Sequence, residues 1–129
     1  MNEQIRKKIL VVEDEPAIGR MCEKVLAREG LEVGIAVNGR VAQDMVKKGQ
    51  YQCCLIDIMV PEAGGMELYG WLQQQYPNLA RGVVFTTGSL LDEKVMAFIK
   101  QSSRLFLPKP FTPGELRAAV MEALKRLGE

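Results

Sequence analysis

The chain has 129 residues, 47% hydrophobic and 26% charged, an ordinary globular composition for one compact domain over residues 1–129. Its 17 lysines and arginines nearly balance 16 aspartates and glutamates, and the net charge of +1 argues against a broad nucleic-acid footprint or a polybasic membrane patch. There is no histidine, which excludes Ser-His-Asp and Cys-His catalysis and histidine-bearing zinc sites.

The elements alternate along the chain. Ile9, Leu10, Val11 and Val12 form a short apolar run that reads as a buried strand. Asp14, Glu15 and Pro16 then offer an acidic cap and a proline for the first helical turn. Ile18, Met21, Val25 and Leu26 recur at helical spacing until Gly30. Residues 31–37 read as a weaker strand, Asn38-Gly39 as a turn, and Val41, Ala42, Met45 and Val46 as a second helical face. Residues 53–58 are a third strand, apolar on both faces except at Asp57. A loop over 60–65 precedes a helix with Met66, Tyr69, Leu72 and Tyr76 on one face, closed by Pro77. Val83, Val84 and Phe85 open a fourth strand. Ser89 and Asp92 resemble a capping box ahead of Val95, Phe98 and Ile99. Leu105, Phe106 and Leu107 form a fifth strand, and Thr112 to Glu115 has capping-box spacing before a last helix.

This is a β-α unit five times over. Such alternation predicts a single α/β domain with a doubly wound parallel sheet covered on both faces. Cys53 and Cys54 should then point to opposite faces. Three cysteines without CxxC spacing suggest buried thiols in a reducing compartment. Residues 1–8 lack the apolar core of a signal peptide, and no apolar run approaches a membrane span, so a cytoplasmic location is expected.

Ligands of doubly wound folds bind beyond the carboxyl ends of the strands. There the sequence places Glu13 and Asp14, Asp57, Thr86 and Thr87, and Lys109. Two carboxylates about 4 Å apart repel by roughly 4 kcal/mol at an effective dielectric near 20. A cluster of them calls for a cation or for protons, and all-oxygen donors favour Mg²⁺ or Mn²⁺. The plainer alternative is that these acids only cap helices and turns. Lys109, between Pro108 and Pro110, has its backbone constrained on both sides, and a Lys-Pro bond accommodates the cis form.

Taken together, residues 9–15, residues 55–61 with Gly64-Gly65, Thr87, and Lys109-Pro110-Phe111 resemble the receiver domain of bacterial two-component response regulators. Residues 84–88 and 98–109 also look like receivers attached to hybrid histidine kinases, so the chain reads as free-standing or as one piece of a larger protein. The resemblance implies a flavodoxin-like strand order, 2-1-3-4-5. It implies that Asp57 is the phosphoacceptor, and that Glu13, Asp14, Asp57 and the Met59 carbonyl hold Mg²⁺. It implies that Thr87 and Lys109 bind the phosphoryl group, with Lys109-Pro110 cis, and that Thr87 and Phe106 form a switch. Glu13 stands where many members have aspartate, and Gly88 where alanine is frequent.

The function expected from the resemblance is phosphoryl acceptance in a phosphorelay. The domain would promote only its own phosphorylation and dephosphorylation, and would not be an enzyme acting on other substrates. Its partners would be a sensor histidine kinase or histidine phosphotransfer domain and a downstream protein, without direct nucleic-acid or membrane contact. It would be a monomer or a weak homodimer through the fourth helix, fifth strand and fifth helix. A phosphorylation-independent pseudo-receiver acting as a protein-binding module is the alternative. A flavin or nucleotide carrier is disfavoured, because the loop after the first strand carries three acids and no phosphate-cradling glycine motif.

Overall fold

The computed structural model describes residues 6–128. Residues 1–5, on which part of the signal-peptide reading falls, lie outside the described residues. Five parallel strands form one sheet: β1 (Lys8–Val12), β2 (Glu32–Ala36), β3 (Cys53–Asp57), β4 (Val83–Thr87) and β5 (Leu105–Pro108), in the order β2-β1-β3-β4-β5. The helices are α1 (Pro16–Arg28), α2 (Gly39–Lys48), α3 (Gly65–Gln75), α4 (Pro77–Ala80), α5 (Glu93–Ser102) and α6 (Pro113–Leu127). This is the expected doubly wound architecture with the expected strand order.

The period of two along each strand divides the core into two layers. Leu10, Cys54, Ile56 and Phe85 face α2 to α5, while Ile9, Val11, Cys53, Leu55 and Val84 face α1 and α6. Cys53 and Cys54 therefore do point to opposite faces. All three thiols are buried and free. Burial pushes Cys22 and Cys53 up to about 12 and Cys54 well above its ordinary value, so they are inert packing groups. On the α5 side, Phe85 meets Tyr69 and Phe98 edge-on at 5.1 and 5.4 Å, a geometry that aromatic quadrupoles favour.

Several local expectations change. Pro77 does more than close the third helix: α3 ends at Gln75, and Pro77 opens the one-turn helix α4, because a first helical residue does not need its N–H. The expected fourth and fifth helices are thus α5 and α6. Ser89 and Asp92 do not form a capping box. Asp92 is itself the N-cap of α5, and its Oδ1 accepts from the backbone N–H groups of Lys94 and Val95 at 3.0 and 3.1 Å. Glu15 occupies the N-cap position of α1 without capping it. Asn38 does more than mark a turn, since its side chain caps α2 by accepting from Val41 N–H at 2.8 Å. The capping box at Thr112 and Glu115 is present in both directions.

The loop after β3 is held by backbone contact. Gly39 and Arg40 donate to the carbonyls of Pro61 and Glu62 at 3.2 and 3.0 Å. A Cβ on Gly39 would fall 1.6 Å from the Ala63 carbonyl oxygen, so only glycine permits this approach. Gly65 is similarly confined: a Cβ there would lie 2.5 Å from Ile58 Cα. Gly70, on the same helix, has nothing within 4 Å of its Cβ direction. Gly65→Ala is therefore expected to lower the unfolding free energy by about 1–3 kcal/mol, and Gly70→Ala to raise it by about 1 kcal/mol. Urea midpoints of the two variants check both signs.

Candidate functional site

The strand order reverses between β1 and β3, and the charged residues gather at that switch point. Val12 pairs with Ile56, so the next residues, Glu13 and Asp57, emerge side by side. Asp57 is in register with Thr86, and Thr86 with Leu107. Two residues beyond Leu107, Lys109 leaves β5, tied to β4 by its N–H bond to the Thr87 carbonyl at 3.0 Å. The Lys109-Pro110 bond is cis, as the resemblance implies.

One ammonium joins the cluster. Lys109 Nζ lies 2.7 Å from Asp57 Oδ2, 3.0 Å from Glu13 Oε1 and 3.2 Å from Glu15 Oε1. The Asp57 and Glu13 side chains are only 7% and 2% exposed, whereas Glu15 is 61% exposed. Solvent screening makes the Glu15 contact the weak one. Asp57 Oδ1 accepts from Met59 N–H at 3.0 Å, and Glu13 Oε2 accepts from Glu15 N–H at 3.2 Å.

A single ammonium does not neutralise this many carboxylates. Burial pushes the Glu13 carboxyl up, and the Asp57 charge adds to that, so the bond to Lys109 only partly offsets the rise. For Lys109 burial acts downward, but the hydrogen bonds and charges of Asp57 and Glu13 outweigh it and hold the ammonium protonated. The cation is over-satisfied and the anions are under-satisfied. Glu13, Asp14 and Asp57 each offer an oxygen, all within 4.8 Å of one another. This all-oxygen donor set fits a hard divalent cation. Asp14, the exposed member, faces solvent.

The structure brings Glu13, Asp14, Asp57 and Lys109 together, with Met59 joined through its backbone. Thr87 and Phe106 are placed differently. Thr87 is fully buried, and its Oγ1 accepts from Ser89 N–H at 3.0 Å instead of touching a charged group. Phe106 is half-buried against the α5-side core, in register with Phe85. Two participants are unexpected. Glu15, read as a helix cap, turns to Lys109. Thr86, expected at the strand end but given no role, shares the Asp57 face, and its buried hydroxyl has no hydrogen-bond partner. The adjacency of Glu15 to Glu13 and the alternation of β4 were the available signals for these two.

Lys109→Met is expected to lower metal-free stability at pH 7 by about 2 kcal/mol, because it leaves Glu13 and Asp57 buried without a countercharge. Added Mg²⁺ should recover part of the loss. Thermal melts with and without Mg²⁺ measure both.

The comparisons with known proteins agree with this geometry. The model of the response regulator receiver domain matches residues 9–121. Over 120 residues the chain is 33% identical to response regulator protein PilR of Pseudomonas aeruginosa, covering 93% of this chain and 26% of PilR. Transcriptional regulatory protein SrrA of Staphylococcus aureus is 29% identical over 119 residues, covering 92% of this chain and 48% of SrrA. The chain thus spans between about a quarter and about half of the length of these relatives. A CheY-like receiver domain protein from Methanospirillum hungatei superposes with a TM-score of 0.87 at 25% identity, covering 96% of this chain and 98% of that one. A response regulator described as putative, from Chloroflexus aurantiacus, gives 0.83 at 26%, covering 95% and 100%. A match running from the first strand into the last helix establishes that the chain belongs to the response regulator receiver domain family of two-component signalling.

Proposed function

We propose that this chain accepts a phosphoryl group on Asp57, with the help of Mg²⁺ or Mn²⁺, and passes the event on as a conformational change. The observation that carries this reading is the convergence of Glu13, Asp14, Asp57 and Lys109 from three strand ends onto one buried, under-neutralised carboxylate. In the reaction, an Asp57 oxygen attacks phosphorus in line. The bond from phosphorus to the donor breaks, and its electron pair leaves with the donor, a phosphohistidine imidazole or the acetate of acetyl phosphate.

Glu13, Asp14, Asp57 and the Met59 carbonyl would hold the divalent cation, which supplies charge neutralisation for the nucleophile and the phosphoryl oxygens when bound. Met59 N–H and Lys109 fix the Asp57 carboxylate, which limits its rotation before attack. Lys109 then follows the negative charge from the carboxylate to the phosphoryl group. Thr87 gives up its bond to the Ser89 amide to donate to a phosphoryl oxygen, and Phe106 turns into the space beside it. This switch changes the α5-β5-α6 surface, which is also the proposed face for a downstream protein or a weak homodimer. The domain acts on no separate substrate and promotes only its own phosphorylation and dephosphorylation.

The chain has no histidine, so a phosphohistidine donor belongs to another domain or chain, a sensor kinase or a phosphotransfer domain. Support for a protein partner comes from Val37, Met59, Leu90 and Leu91. These are the large hydrophobic residues that stand exposed among the described residues, and all four follow the carboxyl ends of strands. They flank the acidic site, where a partner must seat to deliver the phosphoryl group. No described helix is long and apolar enough to cross a membrane. The near-neutral charge and the acidic site argue against direct nucleic-acid contact, and membership of a two-component signalling family supports a cytoplasmic role.

Intact-mass measurement after incubation with acetyl phosphate tests the reading. One phosphoryl adduct is expected with Mg²⁺, and none without Mg²⁺ or in Asp57→Asn. An undiminished adduct in Asp57→Asn would move the acceptor elsewhere.

A further inference from the structure

Thr86 is 1% exposed, and its Oγ1 has no hydrogen-bond partner. A hydroxyl buried in this way costs about 1–3 kcal/mol if nothing ever satisfies it, and valine would fill the same space without that cost. Its neighbours indicate what it serves. Leu55, Val84 and Leu107 all face the α1 and α6 side. Two residues further along each strand, the same face carries Asp57 and Thr86, and Lys109 follows β5. Lys109 starts beyond β5, yet its ammonium reaches Asp57 on β3. Those strands lie two spacings, about 10 Å, apart. The Lys109 side chain therefore crosses the end of β4, where its Cβ lies 3.8 Å from the Cβ position of Gly88 and where Thr86 is the residue in register with Asp57.

In the resting arrangement the three N–H groups of the ammonium are taken up by Asp57, Glu13 and Glu15. Two of these acceptors, Asp57 and Glu13, belong to the trio that fits a divalent cation. Oxygens turned to that cation are poor acceptors for a second positive group. The remaining acceptor, Glu15, is largely exposed. The ammonium then needs a polar group inside the site, and Thr86 holds the unused one.

We propose that Thr86 is a positioning residue for Lys109: its hydroxyl accepts a hydrogen bond from the ammonium when Glu13 and Asp57 turn to a divalent cation. This rests on the reading of Asp57 as a Mg²⁺-assisted phosphoacceptor. Thr86 keeps the ammonium beside the reacting oxygens and removes part of the penalty for displacing it.

The test uses the full chain, with Mg²⁺ alone as the probe, titrated calorimetrically without a phosphodonor. Thr86→Val should bind Mg²⁺ about tenfold more weakly, since hydrogen bonds to charged groups carry that much. Thr86→Ser should bind like the parent. Without metal, Thr86→Val should melt at the same temperature as the parent or higher, because it removes an unpaired buried hydroxyl. Its adduct formation with acetyl phosphate and Mg²⁺ should be slower in the same proportion. Parent-like Mg²⁺ affinity in Thr86→Val would overturn the proposal. So would Thr86→Ser as weak as Thr86→Val, or a metal-free melting loss in Thr86→Val, since both would indicate packing. A parent chain that binds no Mg²⁺ contradicts the reading of the Asp57 site and this inference with it. A parent that binds Mg²⁺ beside an equally competent Thr86→Val contradicts only the inference.

Discussion

The Lys109 ammonium, 2.7 Å from Asp57 and 3.0 Å from Glu13, is the contact on which the rest of the site depends. Two nearly buried carboxylates side by side repel strongly. Without a cation that repulsion would push apart the ends of β1 and β3. Lys109 is a resident cation on a flexible stem, anchored through its own backbone to β4. It holds the carboxylates together, yet it can yield its place. That combination suits the proposed exchange of one cation for another before Asp57 accepts a phosphoryl group.

The fold supplies the convergence. A parallel sheet directs every carboxyl end to one edge, and the reversal between β1 and β3 opens a crevice there. The five-residue strands β1 and β3 are almost wholly buried, so their lateral register is fixed by packing on both faces. A slip of one residue would move Asp57 to the α3 side and put Ile56 in its place. Gly39 and Gly65 complete the frame by letting the loop after β3 press against α2 and α3. The chemistry therefore depends on small residues that never touch the reacting atoms.

Much of this was legible in the residues. Short apolar runs and helical spacing located all five strands and five of the six helices. Glu13, Asp14, Asp57 and Lys109 stood out because charge at the end of an apolar strand needs a partner. What escaped was short-range or three-dimensional. The α4 turn at Pro77 spans four residues, too few for periodicity to register. Ser89 and Asp92 have capping-box spacing, but Asp92 alone reaches the first amides of α5. Glu15 was expected to cap α1, and Lys109, distant in sequence, outcompetes that role. The unpaired state of Thr86 depends on which groups lie above it after folding, and no local pattern encodes that. Thr87 and Phe106 were recognised by position alone, and their contacts are with Ser89 and with the α5-side core.

In the proposed reaction Lys109 and a divalent cation compete for the same oxygens. Calorimetric titration of Mg²⁺ at pH 7 into the parent chain and into Lys109→Met tests it directly. Tighter Mg²⁺ binding is expected once the ammonium is gone, because Glu13 and Asp57 no longer have to release it. Weaker binding in Lys109→Met would overturn this competition, since it would make Lys109 a support for the cation and not its rival.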